Sequence, residues 1–223
     1  MKMKADYFSG MTSDNARQQI LKKIEQALKQ SVPVPFPELP ADSPAVFKSN
    51  TEDLAIVFAE QFTQLQGQFA FCMNMQEVCE QLLLLAQKKG WRKWVCRNDA
   101  IRQQLEKYGW NLGWHETLHD SHVSITACEA LVARTGTMVL SSAVSDGRTT
   151  SVYAPVHICL ATTHQLGYDI DDALANMQQR YGSQLPSLIS FASGPSRTAD
   201  IEKTLVTGVH GPKEVFCFLL EEA

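Results

Sequence analysis

The 223-residue sequence lacks the signatures of several large protein classes. Its six cysteines form no Cys-x-x-Cys pair, so the chain offers no zinc-ribbon or iron–sulfur framework, and the thiols are expected to be reduced and buried. The longest aliphatic run, Leu82 to Ala86, is too short to span a bilayer, and no long basic run provides a surface for nucleic acid. We therefore expect a cytoplasmic protein with no membrane span, no nucleic-acid partner and no intrinsic cofactor.

The composition that remains is that of an ordinary globular protein, with 44% hydrophobic and 20% charged residues and a net charge of −4. Thr12, Ser13 or Asp14 can cap an amphipathic helix that runs to about Lys29. Five of the nine prolines follow between Pro33 and Pro44 and exclude helix there. We predict a helical arm and proline-rich strap over residues 1–45 and one α/β domain over residues 46–223.

Helical patterns alternate with short apolar runs after the strap, which is typical of a layered α/β domain. Helices are predicted near residues 51–66, 75–89, 98–108, 170–181 and 198–206. Strands are predicted near residues 68–72, 92–96, 122–126, 137–142, 157–161, 187–191 and 214–220. The predicted fold is a twisted, mostly parallel sheet flanked by helices, with a loop-rich lobe between residues 126 and 157 and ligand-binding loops at the carboxyl ends of strands.

The segment from His115 to His119 matches His-Glu-x-x-His, a pattern that places two zinc ligands one helical turn apart. Gly109 and Gly113 interrupt the residues before it, and a strand is predicted from His122. These features disfavour the long helix that a metalloprotease needs around this motif. The sequence favours a solvated loop with no metal, and a looser zinc site that uses His122 is the alternative.

Residues 188–205 read as a strand, a tight turn and a helix start. Gly194 permits a sharp turn, and Ser196 or Thr198 can cap the helix, whose free N–H groups favour an anion. Arg197 adds a planar fork for a carboxylate or phosphate. The alternative is an ordinary capped helix in which Arg197 pairs with Asp200 or Glu202.

Two further segments carry polar residues that we expect beside this turn. Residues 208–212 read Gly-Val-His-Gly-Pro, in which glycines bring the backbone close to a neighbour and His210 is a candidate acid or base. The alternative for His210 is a simple turn histidine. Thr135-Gly136-Thr137 opens a strand, and Arg148 and His157 flank a polar segment on the same side of the predicted sheet.

Together these motifs resemble the lactate utilization protein C family, whose members carry the LUD domain. The resemblance rests on residues 125–130, Ala133, residues 135–137, Pro155, His157, residues 193–202 and residues 208–212. It implies a fold like that of the NagB, RpiA and CoA-transferase group. It also implies a role in oxidising L-lactate to pyruvate, in which companion subunits carry the iron–sulfur clusters. One departure is Arg134, which stands where the family commonly has an acidic residue, so that Glu129 could replace that carboxylate or the ligand could be more anionic.

The leading hypothesis is a subunit of an iron–sulfur-dependent, lactate-oxidising complex that binds a small anionic metabolite, and a homo-oligomer is left open. The alternatives are a non-catalytic assembly or regulatory subunit and a stand-alone CoA-transferase-like or ligase-like enzyme. The candidate catalytic residues are His210 and Glu202. The candidate ligand-binding residues are Thr135, Gly136, Thr137, Arg148, His157, Ser193, Gly194, Ser196, Arg197, Thr198, Asp200, Gly208 and Gly211.

Overall fold

The structure, a computed structural model, describes residues 13–29, 52–144, 147–201 and 204–221. The chain divides into two compact units, Met1–Ser49 and Asn50–Ala223. In the first unit, helix α1 spans Ser13–Leu28, which confirms the predicted amphipathic helix. The predicted proline-rich strap lies outside the described residues.

The described residues of the second unit form five further helices, and polar caps define where the longer ones begin. They are α2 (Leu54–Gln64), α3 (Met75–Lys89), α4 (Asp99–Lys107), the short α5 (Thr150–Tyr153) and α6 (Ile170–Tyr181). Asn74 accepts a hydrogen bond from Glu77 N, and Asn98 accepts one from Ile101 N, so each satisfies a free amide at a helix start. Four of the five predicted helices of this unit are thereby confirmed. Among the helices of the described residues, none combines the length and the apolar composition that a membrane-spanning segment requires.

A five-stranded parallel sheet forms the centre of the second unit. With strands numbered in chain order, it contains β1 (Gln68–Cys72), β2 (Trp94–Cys96), β3 (Val123–Ala127), β6 (Val156–Thr162) and β11 (Glu214–Leu220). The strand order is β1-β11-β6-β3-β2, and every neighbouring pair is parallel. The predicted α/β class with a parallel central sheet flanked by helices is therefore confirmed.

A second, mixed sheet packs against the first and occupies much of the segment predicted to be a loop-rich lobe. Its strands are β4 (Ala130–Val132), β5 (Thr137–Ser141), β7 (Leu166–Gly167) and β8 (Ile189–Ala192), in the order β7-β4-β5-β8. Only the β4–β7 pair is parallel. Strands β4 and β7 were not predicted, because three- and two-residue strands are too short to produce a hydrophobic period.

Alternation of side chains along the central strands produces two separate cores. On one face, Trp94, Ile125 and Phe218 pack with α3 and α4. On the other face, Cys217 and Leu219 pack with α2 and with one side of the second sheet. The opposite side of that sheet is covered by α6. The layers are thus α3 and α4, the parallel sheet, α2 with the mixed sheet, and α6.

All six cysteines are free and buried, which confirms the prediction of buried thiols. A hydrogen bond to Cys159 and then burial raise the pKa of the Cys128 thiol well above its ordinary value. The Cys128 thiol is therefore protonated at neutral pH, and protonated thiols are poor nucleophiles.

The prediction of a helix over residues 198–206 is wrong. Residues Arg197–Ile201 (β9) and Thr204–Thr207 (β10) instead form an antiparallel pair, in which Arg197 is opposite Thr207 and Ile201 is opposite Thr204. Ser196, the residue before β9, donates a backbone hydrogen bond to Pro212 O and accepts one from Gly208 N. Ser196 and Thr198 therefore cap no helix, and residues 197–201 present no free helix-end amides to an anion.

Candidate functional site

The end of α2 is the point at which two of the sequence-predicted segments meet. Gly136 has φ +56°, and a Cβ added there would lie 2.5 Å from Phe62 N. Gly194 has φ +79°, and a Cβ added there would lie 2.5 Å from Leu65 O. Glycine is required at both positions for conformation and for space. The connection at residues 135–137 and the turn at residues 193–197 are therefore both pressed against the last turn of α2.

A chain of hydroxyl groups joins these two segments directly. Thr135 Oγ1 and Thr137 Oγ1 are 2.7 Å apart, and Thr137 Oγ1 is 2.7 Å from Ser193 Oγ. Thr137 is buried. These hydroxyls were predicted to contact a ligand, and the structure brings them together. They are occupied in fastening the start of β5 to the turn that follows β8.

Arg197, the predicted anion clamp, is exposed and bonded to the end of α2. Its Nη2 donates a hydrogen bond to Leu65 O and approaches Gln66 Oε1 at 3.5 Å. Such a bond satisfies one of the carbonyl groups that have no partner within the helix. The side chain of Asp200 and all of Glu202 lie outside the described residues, so the alternative ion pairs to Arg197 remain a prediction.

The turn at residues 193–197 also meets the glycine-rich loop at residues 208–212. Ser196 N donates to Pro212 O at 3.0 Å, and Gly208 N donates to Ser196 O at 3.0 Å. A Cβ on Gly211 would lie 2.8 Å from the Ser196 Cβ. The three connections that the sequence singled out therefore form one continuous cluster.

A cavity of about 400 Å³ opens on the outer side of this cluster. It is lined by Val152, Tyr153, Pro155, Gly208, Val209, His210, Gly211 and Lys213. Lys213 N donates to Pro155 O at 2.7 Å, which joins the entrances of β11 and β6. The cavity therefore lies at the amino ends of two parallel strands. Ligand-binding loops were expected at the carboxyl ends of strands. This expectation is wrong for this cavity, because the loop at residues 208–212 precedes strand β11.

Lys213 supplies a positive charge to this cavity and was not predicted. A Cβ on Gly208 would overlap the Lys213 side chain, so the missing side chain at position 208 lets the lysine stem run past the loop. Within the described ranges, no carboxylate lies at ion-pair distance from Lys213. A single lysine beside a Gly-Pro pair has no sequence signature that separates it from ordinary surface lysines.

Arg148 and His157 do not line the cavity. Arg148 is exposed, whereas His157 is buried on β6 with its Nε2 2.8 Å from Thr126 Oγ1. Burial lowers the pKa of His157 to about 4, so the imidazole is neutral at physiological pH. Its surroundings are those of a buried polar group in the sheet.

The segment from His115 to His119 lies in the loop before β3 and is not helical. His115 Nε2 is 2.8 Å from Thr117 Oγ1, and His119 Nε2 is 3.7 Å from Asp120 Oδ1. Across the described part of the chain, no group of three or more His, Cys, Asp or Glu residues is arranged to hold a metal ion.

The departure from the family pattern concerns Arg134 and Glu129. These two residues form hydrogen bonds to different side chains. Arg134 binds Asp169 through two hydrogen bonds, Nη2 to Oδ1 at 2.8 Å and Nε to Oδ2 at 3.0 Å. The hydrogen bond from Arg134 lowers the pKa of Asp169. Glu129 is buried and accepts hydrogen bonds from Ser141, Tyr181 and Arg180.

The paired sheets and the loops gathered on the end of α2 define a layered α/β domain with a cavity at its strand ends. The LUD domain profile matches residues 56–220, and the chain belongs to the LUD domain family.

Related proteins cover parts of the chain. An uncharacterized protein of Neisseria meningitidis serogroup B is 38% identical over 84 residues, which are 38% of this chain and 36% of that protein. Lactate utilization protein C of Geobacillus sp. is 37% identical over 127 residues, 53% of this chain and 52% of the relative. The protein of the same name from Bacillus licheniformis is 33% identical over 104 residues, 46% of this chain and 43% of the relative. The chain spans about half or less of the length of these relatives.

A solved structure supports the fold. The crystal structure of a DUF162 family protein from Deinococcus radiodurans superposes with a TM-score of 0.50 at 14% sequence identity. The superposition covers 75% of this chain and 96% of that chain. At this identity the likeness concerns the fold alone.

Proposed function

We propose that this chain acts in lactate utilization, as a subunit of an iron–sulfur-dependent system that oxidises L-lactate to pyruvate. Membership of the LUD family and several relatives named lactate utilization protein C support the pathway. The observation that carries the proposal is the cavity beside the glycine-rich loop, where His210 and Lys213 line the same space. This pair supplies a proton-transfer group and a positive charge for a small anionic substrate.

The chemistry of the cavity fits a small carboxylate. The Lys213 ammonium attracts the carboxylate, and the backbone of Gly208 and Gly211 admits it closely because no side chains intervene. His210 accepts the proton of the substrate hydroxyl as the carbonyl forms. The hydrogen on the same carbon leaves with the electron pair of its C–H bond to a hydride acceptor held by the companion subunits, from which the two electrons pass to iron–sulfur clusters and the second proton to solvent.

Growth on L-lactate tests this proposal. Lys213→Ala should abolish growth of a complemented deletion strain on L-lactate, and Lys213→Arg should restore much of it because the charge returns. Lys93→Ala, an exposed lysine elsewhere on the surface, is the matched control. Normal growth of the deletion strain, in a background without another lactate oxidase, would refute the proposal.

Purification of the complex separates catalysis from assembly. If Lys213→Ala still co-purifies with cysteine-rich partners but the complex no longer oxidises L-lactate, the cavity acts in turnover. If the partners are lost while the isolated chain remains folded, the chain is an assembly subunit. Stabilisation of the isolated chain by a CoA ester would indicate the transferase-like alternative, because a ligand that binds only the native state raises the melting temperature.

A further inference from the structure

A second cavity, of about 320 Å³, opens beside α6 and shares no lining residue with the cavity of His210 and Lys213. It is lined by Glu129, Ala130, His164, Gln165, Asn176, Gln179 and Arg180. The lining is strongly polar, and Glu129 lies at its base with its side chain only 1% exposed. A buried carboxylate facing a polar space is costly unless its oxygens are well satisfied.

The Glu129 carboxylate is nearly, but not fully, satisfied by the protein. Oε1 accepts from Ser141 Oγ at 2.5 Å and from the Tyr181 hydroxyl at 2.8 Å. Oε2 accepts from Arg180 Nη1 at 2.9 Å. A carboxylate oxygen accepts about two hydrogen bonds. Among the described residues, Oε2 therefore retains one acceptor position for a donor from the cavity.

Arg180 provides the complementary donors at the same place. Its side chain is 55% exposed, donates one N–H to Glu129 and also interacts with the Tyr181 hydroxyl. A guanidinium has five N–H groups, so donors remain beyond these two partners. The carboxamides of Asn176 and Gln179 add neutral donors along α6. The negative charge of Glu129 and the positive charge of Arg180 cancel. The cavity is therefore unsuited to a highly charged ligand. It suits a ligand that carries a hydrogen-bond donor next to an anionic group.

We propose that this cavity binds a small carboxylate that carries a hydrogen-bond donor, either hydroxyl or ammonium, on the adjacent carbon. The ligand carboxylate binds the free edge of the Arg180 guanidinium, and the neighbouring donor binds Glu129 Oε2. Because Glu129 and Arg180 are themselves in hydrogen-bond contact, their free positions are adjacent, as are the two groups of such a ligand. A keto acid carries a carbonyl oxygen, a hydrogen-bond acceptor, on the adjacent carbon. This oxygen would face the Glu129 carboxylate, with which it forms no hydrogen bond.

The alternative is that Glu129 only fastens α6 to the second sheet. That reading explains the bonds from Ser141 and Tyr181 but predicts no response to small acids. The two readings therefore differ in binding. The choice of L-lactate as the first probe rests on the proposed function, whereas L-alanine tests the same geometry independently of it.

Amide NMR spectra of the isolated chain, titrated with L-lactate, L-alanine or pyruvate, test the inference. Shifts should appear at Glu129, Ala130 and the α6 segment 176–181 with L-lactate or L-alanine, and pyruvate should bind at least about tenfold more weakly. Shifts confined to residues 208–213 would overturn this inference while supporting the proposed function. Equal binding of pyruvate, or no shift near α6 with either donor-bearing acid, would also overturn it.

Two variants place the binding at this cavity. Arg180→Gln should weaken binding about tenfold or more, because one charge-assisted pair is lost. Asn176→Trp fills the cavity from an exposed helix position and should abolish binding without disturbing Glu129. Gln178→Trp, which introduces the same side chain at an exposed α6 position that does not line the cavity, should bind like the wild type. Unchanged binding in Asn176→Trp would refute the assignment.

Discussion

The buried imidazole of His157 makes the stability of this protein depend on pH in a defined window. Burial lowers its pKa from the ordinary 6.5 to about 4, so the folded protein holds it neutral where the unfolded chain would protonate it. Above about pH 7, both states are neutral and His157 contributes no pH dependence. As the pH falls below 6.5, only the unfolded chain takes up a proton, and stability is lost until the folded-state pKa is reached.

The size of the effect follows from the two pKa values. One pKa unit corresponds to about 1.4 kcal/mol, so the full loss is about 3 kcal/mol, of which about 2 kcal/mol is already lost near pH 5. His157→Gln keeps a group that can hydrogen-bond to Thr126 but has no proton to gain. The free energy of unfolding of this variant should therefore fall less steeply on acidification than that of the wild type.

Urea unfolding at a series of pH values, followed by circular dichroism, measures the difference. Carboxylates that titrate in the same range are present in both proteins, so their contributions cancel in the comparison. His119→Gln, which makes the same exchange at a side chain that is 73% exposed, is the matched control. Parallel curves for the wild type and His157→Gln would refute the reasoning.

Two predictions concern stability at single positions, measured by the midpoint of denaturant unfolding. Gly136→Ala should cost more than about 2 kcal/mol because the new Cβ meets the backbone of Phe62, whereas Gly90→Ala, also at positive φ but in open space, should cost only about 1 kcal/mol. Equal losses would contradict this. Asp169→Ala removes both the ion pair to Arg134 and the cap of α6 and should cost about 2 kcal/mol, with Asp169→Asn, which keeps a capping group, losing about half as much. An Asn variant as unstable as the Ala variant would show that the cap contributes little.

The sequence predicts those elements whose signals are local. Helix α3 begins after Asn74, ends at the left-handed Gly90 and carries its apolar residues at helical spacing, so every signal lies within the segment itself. The longer central strands are equally visible because they are apolar runs bounded by turn formers. These elements determine the layered architecture, and for this reason the fold class could be predicted.

The hairpin of β9 and β10 could not be predicted in this way. Ser196, Thr198 and Asp200 form a pattern that is typical of a helix start, and the sequence provides no local reason to reject it. What decides the conformation is the pairing of Ser196 with Pro212 and Gly208, a contact between separate segments. Tertiary contacts of this kind override local preference.

The convergence of the glycine-bearing segments could be predicted from the sequence, but the side chains that line the cavity could not. Glycines mark close backbone approach, and both Gly194 and Gly211 do lie against neighbouring backbone or side chains. The charge, however, was assigned to Arg197, which binds the end of α2, while Lys213 lines the cavity. The direction of the Arg197 and Lys213 side chains depends on the strand that begins at or just after each residue. The residue type alone does not reveal this direction.

The crowded end of α2 also limits how this domain could be redesigned. Without a shift of the structure, the helix end leaves no space for one methyl group at either Gly136 or Gly194. An engineer who grafts the 193–197 turn onto another scaffold must therefore transfer the last turn of the helix with it. The transferable module is the turn together with the helix end on which it rests.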